Sequence, residues 1–310
     1  MNTQSNALSE SFQAQRAAPR ALSATDPMYW SIRRELLENR WIYIGQLAIA
    51  AVFLFGFLIS LVRLPAQMRA LAATDPAQYW EAISMPYNTL AGVMMATLIL
   101  MSLFYSADAL HSERRDRSIL FWKSLPVSDR TTVLAKASIP LVILPLLTFS
   151  VAVVTQGIML LFSSMVLAGN GMSAAPLWRE LSLPRMWWDL LYHLFTAHAL
   201  WPFPVYCWLL LVSGWARRAT LFWAALPVVA IAGIEKLAFR SSYFAVMVGT
   251  RLIGASAPTD FTPGDMFPLG PMTHLTPGRF LGTPGLWIGL AVAALFLAAA
   301  VRSRRDHGTI

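Results

Sequence analysis

The sequence predicts an all-α integral membrane protein. It has six transmembrane helices, an interfacial helix before the first, a short cytoplasmic helix between the second and third, and a long outer loop before the last. Three observations carry this reading. Of the 310 residues, 56% are hydrophobic and only 13% charged, against roughly a quarter charged in soluble domains. The apolar residues gather into six runs that reach or approach the roughly 20 residues a helix needs to cross about 30 Å of hydrocarbon. Sixteen of the 24 lysines and arginines fall in segments that six crossings place on the side of the two termini, and eight on the other. The positive-inside bias therefore puts both termini in the cytoplasm.

The elements follow in order. Residues 1–25 are polar, lack the apolar core of a signal peptide and read as a disordered cytoplasmic tail. Residues 26–310 form one transmembrane domain. Its first element, 26–40, starts with Thr25 or Asp26 as N-cap and Pro27 at the first helical position. Tyr29, Ile32 and Leu36 share one face, as in a helix lying along the membrane surface; a plain extension of the first crossing is the other reading. The crossings lie at about 41–62, 87–107, 132–167, 188–213, 220–234 and 286–301. The third exceeds what a bilayer requires, so it tilts, projects or bends at Pro140 and Pro145. The fifth is short and extends past Glu235 and Lys236 if those residues find water or each other. The outer loop, 235–285, contains six prolines, yet 241–255, "SSYFAVMVGTRLIGA", is apolar. That piece is too short to cross twice, and two readings stand: a re-entrant helix or an amphipathic cap.

Several kinds of chemistry find no support. The net charge of +8 does not gather into a basic domain, so contact with membrane lipids explains it and nucleic acid does not. The single cysteine, Cys207, allows no internal disulfide and no CxxC pair. No phosphate-binding GxxxxGK[ST] loop exists, because Lys123, Lys136 and Lys236 follow Trp, Ala and Glu. No GxSxG marks a nucleophile. His193 and His198 are five residues apart, not four, so they do not share a helix face as HExxH ligands do. With Asp189 they are the only basis for an alternative reading as a membrane-embedded enzyme. Few charges lie in the central parts of the six spans, which argues against the third class, an ion-coupled carrier. The chain itself is expected to hold no cofactor and no metal.

The most informative stretch is "HSERRDRSILFWKSLPVSDRTTVLAK", the loop 109–131 and the start of the third crossing. Pro126 stops a helix near Leu125, because the residue before proline avoids the helical region. Ser128 or Asp129 caps the next helix. A short helix of about 113–124 is thereby isolated, charged in its first half and apolar in its second. Covering Phe121, Trp122 and Leu125 is worth roughly 1.5 to 3 kcal/mol each. At the head of this loop, Asp108 and His111 are placed to orient it through a charged hydrogen bond.

This stretch resembles the signature loop of type-2 ABC exporter permeases, also classed as type V ABC transporter transmembrane subunits. There an E-R-x-x-x-S/T-hydrophobic run precedes S-L-P-V-S and a lysine, and this chain has Glu113, Arg114, Ser118, Ile119, Leu120, Ser124, Leu125, Pro126, Val127, Ser128 and Lys136 in those places. The resemblance covers about 30 residues in detail, and the six-crossing topology extends it over most of the chain. It implies that the short helix is a coupling helix, docked on a separate nucleotide-binding subunit present in two copies, which binds ATP and Mg. It also implies a second permease subunit, identical or related. The implied contacts divide by chemistry: Glu113, Arg114, Arg115 and Arg117 for polar pairing, and Ile119, Phe121, Trp122 and Leu125 as apolar anchors. The outer loop departs from the family, being longer and richer in proline than its compact re-entrant helices.

Overall fold

The computed structural model describes residues 26–71, 76–115, 127–253 and 280–306. Nearly all of them are helical, and no strand occurs among the described residues. Five helices are long and apolar enough to cross a membrane, and a bent pair makes a sixth. The bundle is thus compatible with a multi-pass membrane protein.

Helix α1 (Asp26–Glu38) begins with Pro27 in its first turn, where a missing N–H leaves no bond unmade. The face it turns inward differs from the expected one. Ile32 and Leu36 are partly buried against the core, but Tyr29 is exposed and the fully buried positions are Ser31 and Glu35. Glu35 turns inward because it meets Lys136 there.

Helix α2 (Trp41–Ser60) leads through one 3-10 turn into α3 (Leu64–Leu71). Its Val52, Phe55 and Ile59 are exposed, the apolar surface expected of a lipid-facing helix. Helix α4 (Pro76–Asp108) starts well before the expected position 87, since Pro76 can open a helix and the interior Pro86 does not end it. The short α5 (His111–Arg115) follows, and residues 116–126, with most of the expected coupling helix, lie outside the described residues.

Helix α6 (Asp129–Ser138) starts at Ser128, whose Oγ accepts from the Thr131 N–H at 3.1 Å. It continues through a π turn (Ile139–Ile143) into α7 (Leu144–Gly169). The two prolines therefore do not break the third crossing. The wider π turn contains Pro140, and Pro145 falls in the first turn of α7. The combined 41-residue helix would be about 60 Å long, roughly twice the hydrocarbon thickness and more than a single crossing requires.

The fourth crossing is not the single helix expected at 188–213. After the short α8 (Ala175–Glu180), α9 (Leu183–Phe195) runs through a π turn (Thr196–Leu200) and stops. Helix α10 (Phe203–Trp215) restarts at an angle of 45°. Pro202 and Pro204 remove two N–H donors and disfavour helical geometry at the residues before them.

Helix α11 (Thr220–Phe239) does pass Glu235 and Lys236, and it ends at Arg240, whose φ is +52°. Glu235 is answered chiefly by donors of the segment that follows, with Lys236 a lesser contributor. Its carboxylate accepts from Ser241 Oγ and the Tyr243 N–H at 2.7 Å each, and from the Phe244 N–H at 2.9 Å. It thereby holds the first turn of α12 (Tyr243–Ile253), the apolar helix expected within 241–255.

The other end of α12 is pinned by Arg251. Its guanidinium stacks on Trp201 at 4.0 Å, donates to Trp201 O at 3.1 Å, and donates to Gly285 O at the head of α13 (Pro284–Asp306). Trp201 Nε1 returns a bond to Thr250 O at 2.9 Å. This contact needs a glycine at 289, where a Cβ would lie 2.6 Å from Arg251 Nη1. Gly289→Ala should therefore lower stability by about 1–3 kcal/mol through overpacking. It should cost little more once Arg251→Ala has emptied the site, which thermal unfolding of the two single variants and the double variant measures.

The core is centred on α4, which packs against both α7 and α10, and its buried residues include Leu90, Met94, Met159, Leu160, Tyr206 and Leu210. Gln46 Nε2 donates to Thr148 Oγ1 at 2.8 Å between α2 and α7. Gln156 joins three elements, donating to Tyr87 O at 3.1 Å and accepting from Trp187 Nε1 at 2.9 Å. Such bonds satisfy polar groups that have no water to turn to.

Candidate functional site: a buried ionic knot at the root of the loop

Helix α5 leaves the end of α4 after a two-residue turn, which aims Glu113 into the bundle. Its side chain is 4% exposed. One carboxylate oxygen lies 2.8 Å from Arg34 Nη2 and 3.2 Å from Lys136 Nζ; the other accepts from Arg304 Nη1 at 2.5 Å.

A second buried carboxylate stands beside it. Glu35, 1% exposed, contacts Lys136 Nζ at 2.8 Å and Arg34 Nη2 at 2.7 Å, and accepts from the Tyr105 hydroxyl at 2.8 Å. Arg304 completes the set by donating from Nε to Asp129 Oδ1 at 2.9 Å. Glu35, Glu113 and Asp129 thus face Arg34, Lys136 and Arg304, and the formal charges cancel. At the rim, Glu38 approaches Arg34 Nε at 3.6 Å.

Charge balance is what makes this interior tolerable. Removing an ion from water costs several kcal/mol, and only close opposite charges with further hydrogen bonds offset it. Burial works against the Arg34 cation, but Glu35 and Glu113 more than compensate and raise its pKa above the usual value. Burial likewise raises the pKa of Glu38, with Arg34 opposing the shift.

The topology of the knot matters as much as its energy. Glu113 comes just before residues 116–126 and Asp129 and Lys136 just after, so both ends of that loop are rooted in one cluster. Arg34 and Glu35 bring in α1, Arg304 the end of α13, and Tyr105 the end of α4.

A second set of contacts fixes α5 to α10. Arg114 Nη2 donates to Ser213 O at 2.6 Å and Ala216 O at 2.7 Å. A cation on the last carbonyls of a helix meets groups that have no partner within it. His111 Nδ1 lies 3.1 Å from Ala216 O, so that nitrogen carries the proton, and the Leu110 N–H reaches Ser213 Oγ at 3.4 Å.

The expected docking residues therefore separate. Glu113 and Arg114 are held by this chain's own groups, Glu113 by three cations and Arg114 by the end of α10. Arg115 is exposed, while Arg117, Ile119, Phe121, Trp122 and Leu125 lie outside the described residues. Of the two orienting residues, His111 binds α10 and Asp108 is exposed. Among the knot partners, the sequence marks Asp129 only as a helix cap, and nothing in it points to Arg34, Glu35, Tyr105 or Arg304 as site residues. One signal was present: Lys136 lies three residues after Val133 and four before Pro140, on the buried face of an apolar helix.

The outer histidines do not converge. His193 Nδ1 turns to Asp189 O of its own helix at 2.6 Å, and His198 is buried in the following π turn. No group of three His, Cys, Asp or Glu side chains among the described residues could hold a metal. Comparison of the chain with family models, curated proteins and solved structures gives no match.

Proposed function

We propose that the chain is the transmembrane permease subunit of an ATP-driven exporter, a type-2 ABC permease embedded in a bacterial-type inner membrane with both termini cytoplasmic. Six crossings are reached by counting the bent α9–α10 pair as one. The chain pairs with a second permease subunit and with two copies of an ABC ATPase, which bind ATP and Mg and do the hydrolysis. The cargo is an amphipathic molecule of unidentified class.

The observation that carries this reading is the rooting of the 116–126 loop, at both ends, in one buried knot that also holds α1, α4 and α13. A push from an ATPase passes through Glu113 on one side and Asp129 and Lys136 on the other, and reaches several membrane helices together. Ile119, Phe121, Trp122 and Leu125, outside the described residues, are the apolar anchors that the family resemblance assigns to the ATPase groove.

The test is co-expression of the chain with a candidate ABC ATPase subunit from the same source. The wild type should co-purify with it in stoichiometric amount and hydrolyse ATP. The double variant Phe121→Asp/Trp122→Asp should lose at least about tenfold in assembly, since burying two charges in an apolar interface costs more than 1.4 kcal/mol. Equal assembly and hydrolysis by the variant would rule the docking out.

A further inference from the structure

At the knot's end of the bundle, α6 and the last turns of α13 leave an open groove of about 790 Å³ between them. Its floor is apolar, built from Leu134, Leu297 and Val301, and its rim carries Arg130, Arg302 and Arg305. We propose that this groove is a binding site for an anionic glycerophospholipid. The phosphate sits among the three guanidinium groups, and an acyl chain lies along Leu134, Leu297 and Val301.

Charge complementarity is the first argument. Two carboxylates also line the groove, but Asp129 is engaged by Arg304 at 2.9 Å. That leaves Asp306, 3.8 Å from Arg302, against three arginines, so the rim is positive.

The second argument is the order of the surfaces. Leu134 is 50% exposed although it stands among charged neighbours. Farther along the same face of α13, Ala294 and Trp287 are exposed, Trp287 at 59%, so the apolar floor runs on into surface that a bilayer would cover. A cationic rim above an apolar floor at a helix end matches the headgroup and acyl boundary of a lipid. The proposal rests on the helices lying in a bilayer and not on ATPase coupling, so either can fail alone.

The experiment uses the full chain, purified in mild detergent and stripped of lipid. Phosphatidylglycerol and phosphatidylcholine with identical acyl chains are then titrated in, with bound lipid counted by native mass spectrometry and the unfolding temperature recorded. The wild type should bind phosphatidylglycerol about tenfold more tightly than phosphatidylcholine. Arg130→Gln/Arg302→Gln/Arg305→Gln should abolish that preference. Ala298→Trp, which fills the floor and keeps the charges, should weaken both lipids. Both variants should match the lipid-free wild type in unfolding temperature, because the substituted side chains are exposed. Equal affinity for the two lipids, or an unchanged preference in the triple variant, would overturn the proposal. So would protection by inorganic phosphate equal to that by phosphatidylglycerol, which would mark a free-anion site.

Discussion

Glu113→Ala should lower the unfolding free energy of the chain by about 3–5 kcal/mol, the usual cost of removing one partner from a buried ion pair. The size follows from what the carboxylate leaves behind. Arg304, 4% exposed, and Lys136, 2% exposed, would keep their charges after losing the carboxylate that both share, with Asp129 still beside Arg304 and Glu35 beside Lys136. Glu113→Gln should be milder, because an amide oxygen still accepts hydrogen bonds while the amide nitrogen faces cations. Thermal unfolding in detergent should therefore order the three proteins as wild type, Gln, Ala. An Ala variant within about 0.5 kcal/mol of wild type, the range of ordinary surface substitutions, would mean that the knot does not form.

Lys136→Met should be as damaging, for the opposite reason. Nζ stands between Glu35 at 2.8 Å and Glu113 at 3.2 Å, and without it two buried carboxylates would share Arg34. Part of the loss should return when one of those charges is also removed. In a double-mutant cycle of Lys136→Met with Glu35→Gln, the double variant should be more stable than the sum of the singles predicts, by about 0.5–3 kcal/mol. Strict additivity would show that the two side chains do not meet.

The sequence made the bundle legible because hydrocarbon thickness is a length and apolar runs can be counted. The third apolar run was visibly too long for one crossing, and α6 at its head supplies Asp129 and Lys136. Pro202 and Pro204 were equally visible, but proline alone does not distinguish a gentle kink from a 45° break. The knot was not legible. Its bonds join residues 79, 101 and 191 positions apart, and nothing local to Glu113 tells a partner's groove from this chain's interior. Glu113 in a charged loop read as a surface residue. The turn at 109–110 and the cations of three other helices bring it inside.

That inward position gives the knot its proposed role, to pass loop movement into the membrane helices, and Glu113→Gln separates this role from docking. The substitution leaves 119–125 intact, so the ATPase should still bind. Spin labels at Leu37 on α1 and Leu237 at the far end of α11 would report the movement, as both side chains are exposed. In the wild-type complex ATP should shift the distance between them. In Glu113→Gln, with the ATPase still bound, the shift should be absent or much reduced. A Glu113→Gln complex that shifts as the wild type does would contradict the account.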